Sequence, residues 1–275
     1  MQARPTSQPL TPALAVSMGD PAGIGLEITI AAWLDRAALG LAPFALYGDP
    51  SAIDGRARLL GHRLALVEIA DPGEAVAAFA TALPVVPVRL AAPGTPGAPD
   101  PANGAAVIDA IVQATRAVQA GRVGAIVTNP IAKHVLHAAG FRHPGHTEFL
   151  ADLAERAAPG SRFKPVMMLA SDELRVVPLT VHEPISRVPA LITRALIVET
   201  AHITHAALIR DFAIAAPRIA IAGLNPHAGE SGSIGTEDRD VIAPAIAELA
   251  AEGLAVTGPH AADTLFHAEA RRGYD

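Results

Sequence analysis

The chain has 275 residues, enough for one large or two ordinary domains with a substantial core. Hydrophobic residues make up 51% of it, much of that alanine with few aromatics, which suits a helix-rich α/β protein and excludes a disordered one. A net charge of −6 gives no nucleic-acid footprint, and the absence of cysteine removes disulfides, thiolate metal sites and a cysteine nucleophile. Any metal must be held by histidine and carboxylate. Met1 to Pro12 is rich in Pro, Thr and Gln without a long apolar core, so no secretory leader is expected. No charge-free apolar run reaches the roughly 18 residues of a membrane span. A soluble cytoplasmic protein is the default expectation.

In chain order, Leu14 to Ser17 reads as a first strand, followed by the loop Met18-Gly19-Asp20-Pro21-Ala22-Gly23-Ile24-Gly25 and a helix over Leu26 to Leu39. Such a glycine-rich loop can offer backbone N–H groups to an anion, or be a tight turn needing glycine for backbone reasons. It is neither a Walker A loop nor a G-x-G-x-x-G fingerprint. Further strands are expected at Phe44 to Gly48, Leu64 to Ile69 and Val85 to Arg89, with a helix over Ser51 to Leu60. Ala91 to Asn103 is a Pro/Gly loop, and Ala105 to Ala120 carries apolar residues at helical spacing. The alternation of strand and helix predicts a doubly wound sheet.

The strand Gly124 to Thr128 ends in Asn129-Pro130-Ile131-Ala132-Lys133, which sets Lys133 at a helix start against the helix dipole. That suggests an anionic ligand, or simply a solvated lysine. In His143-Pro144-Gly145-His146-Thr147-Glu148, His146 or Thr147 would cap a helix running to about Ala157. This is either a plain N-cap or a phosphate site of N–H groups, hydroxyl and imidazole. Val166 to Ala170 and Leu174 to Thr180, separated by Ser171-Asp172-Glu173, read as an antiparallel hairpin suited to a dimer interface. The second run ends in Val181-His182-Glu183. Helices follow over Ile185 to Ile192 and Thr193 to Phe212, where His202 and His205 read as surface residues.

A short apolar run, Ile219 to Ala222, then delivers Gly223-Leu224-Asn225-Pro226-His227-Ala228-Gly229-Glu230 into a loop. A Gly/Ser-rich turn and an acidic helix start at Thr236-Glu237-Asp238 come next. Ligands of open α/β sheets bind at the carboxyl ends of strands, and histidine is the commonest metal ligand. His182 and His227 are both strand-end histidines, but their separation makes no sequence-local metal motif. A helix over Asp238 to Ala251, with Pro244 early in it, leads to a strand at Leu254 to Thr257. Gly258-Pro259-His260-Ala261-Ala262-Asp263-Thr264-Leu265-Phe266 follows, placing another carboxylate, Asp263, after a strand.

Together the segments Met18 to Gly25, Thr128 to Lys133, Gly145 to Phe149, Met167 to Ala170, Gly223 to Glu230 and Ala262 to Phe266 resemble the 4-hydroxythreonine-4-phosphate dehydrogenase family of pyridoxal 5′-phosphate biosynthesis. The resemblance runs in order along essentially the whole chain. It implies two α/β/α domains like those of isocitrate and isopropylmalate dehydrogenases, divided here as residues 1–128 and 129–275. It also implies a homodimer with a shared active site in the interdomain cleft. The implied reaction is metal-dependent oxidation of 4-phosphooxy-L-threonine by NAD or NADP, followed by decarboxylation to 3-amino-2-oxopropyl phosphate. By motif match, His182 and His227 resemble two of three ligands to a divalent Zn, Mg or Co ion. His146 and Thr147 resemble substrate-binding residues, and Asp263 falls in a segment lining the same site.

The family's third metal histidine, in a Tyr-His-Asp-Gln motif, would lie beyond Asp275, and cofactor-binding residues are not identified. The expectation is therefore a chain lacking the family's C-terminal part, with weak metal binding and little turnover. The alternatives are a dehydrogenase of the same family acting on a phosphorylated four-carbon sugar acid or a cis-diol, an acyl or phosphate transferase of related fold, and an inactive truncated subunit. A small phosphorylated substrate is expected, with neither nucleic acid nor membrane as partner.

Overall fold

In the computed structural model, residues 12–143 and 145–275 are described. Residues 1–11, where no leader is expected, and Pro144 lie outside the described residues. The chain divides into two units, one ending at Pro165 and the other running from Val166 to Asp275.

The first unit contains β1 (Leu14–Ser17), α1 (Gly25–Leu34), β2 (Phe44–Gly48), α2 (Pro50–Leu59), β3 (Leu66–Glu68), α3 (Ala75–Ala78) and β4 (Leu83–Pro87). It continues with α4 (Gly104–Gln119), β5 (Ile126–Thr128), α5 (Lys133–Ala138) and α6 (His146–Ala157). Every strand pair in its five-stranded sheet is parallel, in the order β3-β4-β2-β1-β5. Parallel strands covered on both faces need continuous rather than alternating apolar sequence. Leu-Ala-Val-Ser and Phe-Ala-Leu-Tyr-Gly supply it, and Ala15, Ala45, Leu46 and Val85 are fully buried. Leu26, Ile30 and Trp33 of α1 and Val107, Ile111 and Ala114 of α4 close the core.

α1 ends at Leu34, earlier than the expected Leu39, and the chain turns there through hydrogen bonds such as Leu39 N to Asp35 O. The sequence-based boundary at 128/129 would separate β5 from α5 and α6. The structure instead keeps both helices with α4, and the division falls after Pro165.

The second unit contains β6 (Leu169–Ala170) and β7 (Arg175–Val176), α7 (Val188–Leu191), α8 (Arg194–Phe212), β8 (Arg218–Ala222), α9 (Ala243–Ala251), β9 (Ala255–His260) and α10 (Ala262–Leu265). Thr193 caps α8 by accepting from Leu196 N, and Ala213 ends it at φ 55°. β8 and β9 pair in parallel, and Ile197, Ala201, Ile246, Leu249 and Val256 form the core beside them. The expected hairpin is antiparallel but short, with only Leu169↔Val176 and Ala170↔Arg175 in register. Its turn is closed by the Ser171 hydroxyl, which accepts from Glu173 N and Leu174 N. The helix expected from Asp238 begins as a π turn over Asp238–Ile242, before α9 takes up the regular pattern with Pro244 in its first turn. Proline there lacks only an N–H that a helix start leaves unbonded anyway. Among the described residues, no helix is long and apolar enough to cross a membrane.

One buried cation fastens the loop after β1. Arg56 of α2 is 3% exposed, and its guanidinium donates to Gly23 O, Pro21 O and Glu27 Oε1 at 2.8–2.9 Å. Arg56→Met strands two main-chain acceptors, each costing roughly 1–3 kcal/mol when buried unpaired. A loss of about 2–3 kcal/mol is expected, read as a lower urea midpoint in the fluorescence of Trp33, the single tryptophan. An unchanged midpoint would show that the loop holds itself.

Candidate functional site

In an open parallel sheet, ligands are received where the strand order reverses, at the carboxyl ends of the strands. From β1 the chain first moves to β2 on one side and later to β5 on the other, so the reversal lies between β1 and β5. The segments leaving these two strands meet there. Asp20 N donates to Pro130 O at 2.9 Å, and Asn129 Nδ2 donates to Thr29 Oγ1 at 2.8 Å. A side chain at Gly19, whose φ is +70°, would sit 2.5 Å from Pro130 O.

The glycine-rich loop itself holds no open anion cradle at its centre. Its amides bond to its own residue Asp20, Ala22 N to Oδ1 at 2.8 Å and Gly23 N to the main-chain oxygen at 3.0 Å. Of the two readings left open by the sequence, the tight turn is the one this hydrogen bonding favours. Asp20, 6% exposed, was not singled out in the sequence because nothing local reveals which amides a carboxylate will take.

Lys133 opens α5, and His146, Thr147 and Glu148 open α6. The N-cap of α6 is Gly145, with no side-chain cap, rather than His146 or Thr147. The twelve-residue helix therefore presents a positive end whose first-turn N–H groups lack a side-chain acceptor. Glu148 Oε2 and Lys133 Nζ come within 3.4 and 3.9 Å of the position a side chain at Gly145 would occupy, so the ammonium shares this helix start with a carboxylate. His146 Nε2 is buried and makes no hydrogen bond. Burial, and then the Lys133 ammonium, hold its imidazole below the ordinary 6.5. His146 is thus a neutral imidazole at neutral pH, beside a permanent cation and an uncapped helix end.

In the second unit, Gly223 N donates to His260 O at 2.7 Å, which ties the ends of β8 and β9 together. This brings the loops after the two strands side by side, with His227 Nδ1 3.7 Å from Asp263 Oδ2 and both side chains more than half exposed. His182 lies at the turn after the hairpin, at φ 58°. The loop bearing His227 has a more unusual backbone. His227, Ala228, Gly229, Glu230 and Ser231 all have φ between 41° and 77°, a full turn of left-handed helix. The four non-glycine residues among them each carry a penalty of about 1 kcal/mol. Strain of that size is held by surrounding bonds and collects at functional sites. Within the turn Ala228 N donates to Asn225 O, and Ser233 N and Oγ donate to Glu230 O. Just before it, Leu224 N, Asn225 N and Asn225 Nδ2 donate at 2.8–3.1 Å to the carboxylate of Asp238, 1% exposed. The sequence places Asp238 in an acidic helix start; its turn back onto the strand end is a long-range contact.

Two imidazoles and a carboxylate are the right kind of donor for a divalent ion. They fall short in number: among the described residues, no group of three or more His, Cys, Asp or Glu side chains comes together as a metal site. Of the three, the structure brings His227 and Asp263 together, and no chemical step is derived through a metal here. A cleft of about 640 Å³ beside the N-terminal end of α2 has Asp49 and Arg56 in its wall. Both are already bonded to main-chain groups, so the cleft assigns no cofactor residue.

The five-stranded parallel sheet with its helices in the first unit and the parallel β8–β9 pair with α8 and α9 in the second are of the α/β class found in dehydrogenases. The family profile described as "Pyridoxal phosphate biosynthetic protein PdxA" matches residues 41–275. A 4-hydroxythreonine-4-phosphate dehydrogenase of Methylorubrum populi is 52% identical over 95% of this chain and 75% of its own length. One from Erythrobacter litoralis is 50% identical over 95% and 76%. The crystal structure of the Klebsiella pneumoniae enzyme of that name superposes with a TM-score of 0.84 at 34% identity, covering 96% of this chain and 80% of that one. A terephthalate 1,2-cis-dihydrodiol dehydrogenase from Burkholderia xenovorans superposes with a TM-score of 0.61 at 29% identity, covering 93% and 75%. The chain belongs to the PdxA family of pyridoxal phosphate biosynthesis, whose membership implies in general terms a nicotinamide cofactor and a divalent metal.

Because the folded chain holds His146 below its unfolded value, protonation favours unfolding. Its contribution to stability is complete above about pH 6.5 and is lost as pH falls below that. In Lys133→Met the imidazole should titrate higher than in the parent, yet still below 6.5, because burial is the larger cause. Histidine NMR titration reads this, and an equal or lower value in the variant would remove Lys133 from the site.

Proposed function

We propose that the chain is the NAD- or NADP-dependent oxidoreductase that converts 4-phosphooxy-L-threonine to 2-amino-3-oxo-4-phosphooxybutanoate. This β-keto acid then loses CO2 to give 3-amino-2-oxopropyl phosphate. The observation that carries the reading is 52% identity across 95% of the chain with a relative named for that activity. The site geometry supports a phosphorylated substrate. The α6 N-terminus, the Thr147 hydroxyl and the Lys133 ammonium offer donors to a phosphate, and neutral His146 adds an imidazole donor without a second fixed charge.

His182 and His227 are the residues proposed to hold a divalent ion, whether Zn, Mg or Co. Asp263 Oδ2 stands 3.7 Å from Nδ1 of His227, so the carboxylate lies on that side of the imidazole and Nε2 is the nitrogen turned away from it. Asp263 is also proposed to line the substrate site. When bound, the nicotinamide accepts the hydride and the metal lowers the proton affinity of the substrate hydroxyl. The chain's own residues bind the phosphate end, orient the alcohol and keep the imidazoles aimed.

A homodimer accompanies this reading, supported by apolar side chains left exposed at the hairpin: Met167 is 41% and Leu169 56% exposed. A cytoplasmic location goes with it. The second reading, a cis-diol dehydrogenase, draws on the likeness to the terephthalate dihydrodiol enzyme, whose TM-score is the lower of the two.

A panel of 4-phosphooxy-L-threonine, phosphorylated four-carbon sugar acids and cis-dihydrodiols, followed by nicotinamide absorbance, separates these readings. Turnover of the dihydrodiol alone would overturn the first. His146→Ala and Thr147→Val should raise KM for the phosphorylated substrate by about 10–100-fold, the worth of a lost hydrogen bond to a charged group, with kcat changed less. Leu169→Asp should shift the assembly from dimer to monomer in analytical ultracentrifugation, and an unchanged mass would place the interface elsewhere.

A further inference from the structure

We propose that Asp238 is a positioning residue for the site at His227, holding the 227–231 turn in its left-handed form so that the imidazole stays at the end of β8. The inference rests on the reading of His227 as a site ligand.

Three features point to it. The carboxylate is 1% exposed, and the donors it meets are amides rather than a cation among the described residues. Its partners are Leu224 N, Asn225 N and Asn225 Nδ2, so it gathers donors from the two residues that lead into the turn. The chain has been shaped to admit it. A side chain at Gly223 would stand 2.7 Å from Asp238 Oδ1, and one at Gly229, inside the turn, 3.3 Å from Oδ2. Asn225 extends the brace, since its Nδ2 also donates to Glu237 Oε2 at 2.8 Å. Gly235, at φ +111°, leaves no room for a side chain against that amide.

The turn's internal bonds, Ala228 N to Asn225 O and Ile234 N to Gly229 O, close it without reaching His227 itself. Ser233 N and Oγ also donate to Glu230 O at the far end of the turn, so Asp238 is the brace at its near end, and loosening it would let His227 relax away from Asp263. Asp238 thus acts on the site through the backbone.

The test compares Asp238→Asn, Asn225→Ala, Asp240→Asn and His227→Ala in the full chain. Asp240 is an exposed carboxylate paired with Arg239, and its variant serves as the unchanged control. Asp238→Asn turns an amide donor toward main-chain donors. It should speed hydrogen exchange across residues 224–231 while exchange in β8 and α8 stays as in the parent. It should also weaken Co2+ binding, read by its visible absorption, by about 10-fold or more, the scale on which supporting residues act on metal sites. In turnover, kcat should fall more than KM rises.

Asn225→Ala should act in the same direction with a smaller effect, and it decides the question if Asp238→Asn does not fold. Faster exchange with unchanged Co2+ affinity and kcat would make Asp238 a purely structural residue and overturn the proposal. Unchanged exchange in both variants would overturn it as well. If His227→Ala binds Co2+ as the parent does, the reading of His227 as a ligand fails, and the proposal falls with it for that separate reason.

Discussion

Buried aspartates accepting main-chain N–H groups at the carboxyl ends of strands hold both units together where it matters. Asp20 takes Ala22 N after β1. Asp49 takes Ser51 N and Ala52 N after β2, and reaches Leu90 N beyond β4. Asp238 takes Leu224 N and Asn225 N after β8. All three are less than a tenth exposed. A carboxylate shielded from water and surrounded by amide donors forms charge-assisted bonds stronger than neutral ones. Each therefore fixes a connection that would otherwise be the loosest part of an α/β fold. The candidate His227 follows two residues after Asn225, whose N–H and side-chain amide donate to Asp238.

The two units carry different kinds of side chain. The first has a helix start without a side-chain cap near Lys133, and the second has imidazoles on strained or turn backbone. Among the described residues, the non-glycine positions with positive φ fall in the second. Gly19 takes its positive φ without a side-chain penalty, whereas His182 and His227 are non-glycine residues in the left-handed region. Such a backbone persists only where neighbouring bonds over-determine it, and His227 has that support through Asp238.

Much of this was legible in the residues. Continuous apolar runs identified β1 and β2 because burial on both faces leaves no alternation to read. The candidate site residues were also visible: Lys133 through its conflict with the helix dipole, and His227 through its glycine-flanked loop after a strand. What escaped was set by contacts distant in sequence. The N-cap of α6 moved to Gly145 because its extended backbone ends the preceding turn without side-chain help. The hairpin's ladder is two residues long rather than five because its flanks leave the pairing. Asp238 read as an ornament of a helix start, since sequence order cannot reveal that its carboxylate folds back over fourteen positions to Leu224 N.

The neutral state of His146 has a thermodynamic consequence for the proposed substrate. A phosphate dianion docking beside a desolvated, uncharged imidazole raises that imidazole's affinity for a proton. Were a phosphate to dock there, protonation of His146 and binding would favour one another, so the heat of binding would depend on the buffer's ionisation enthalpy. On that reading, one side chain would couple phosphate occupancy to the proton activity of its surroundings.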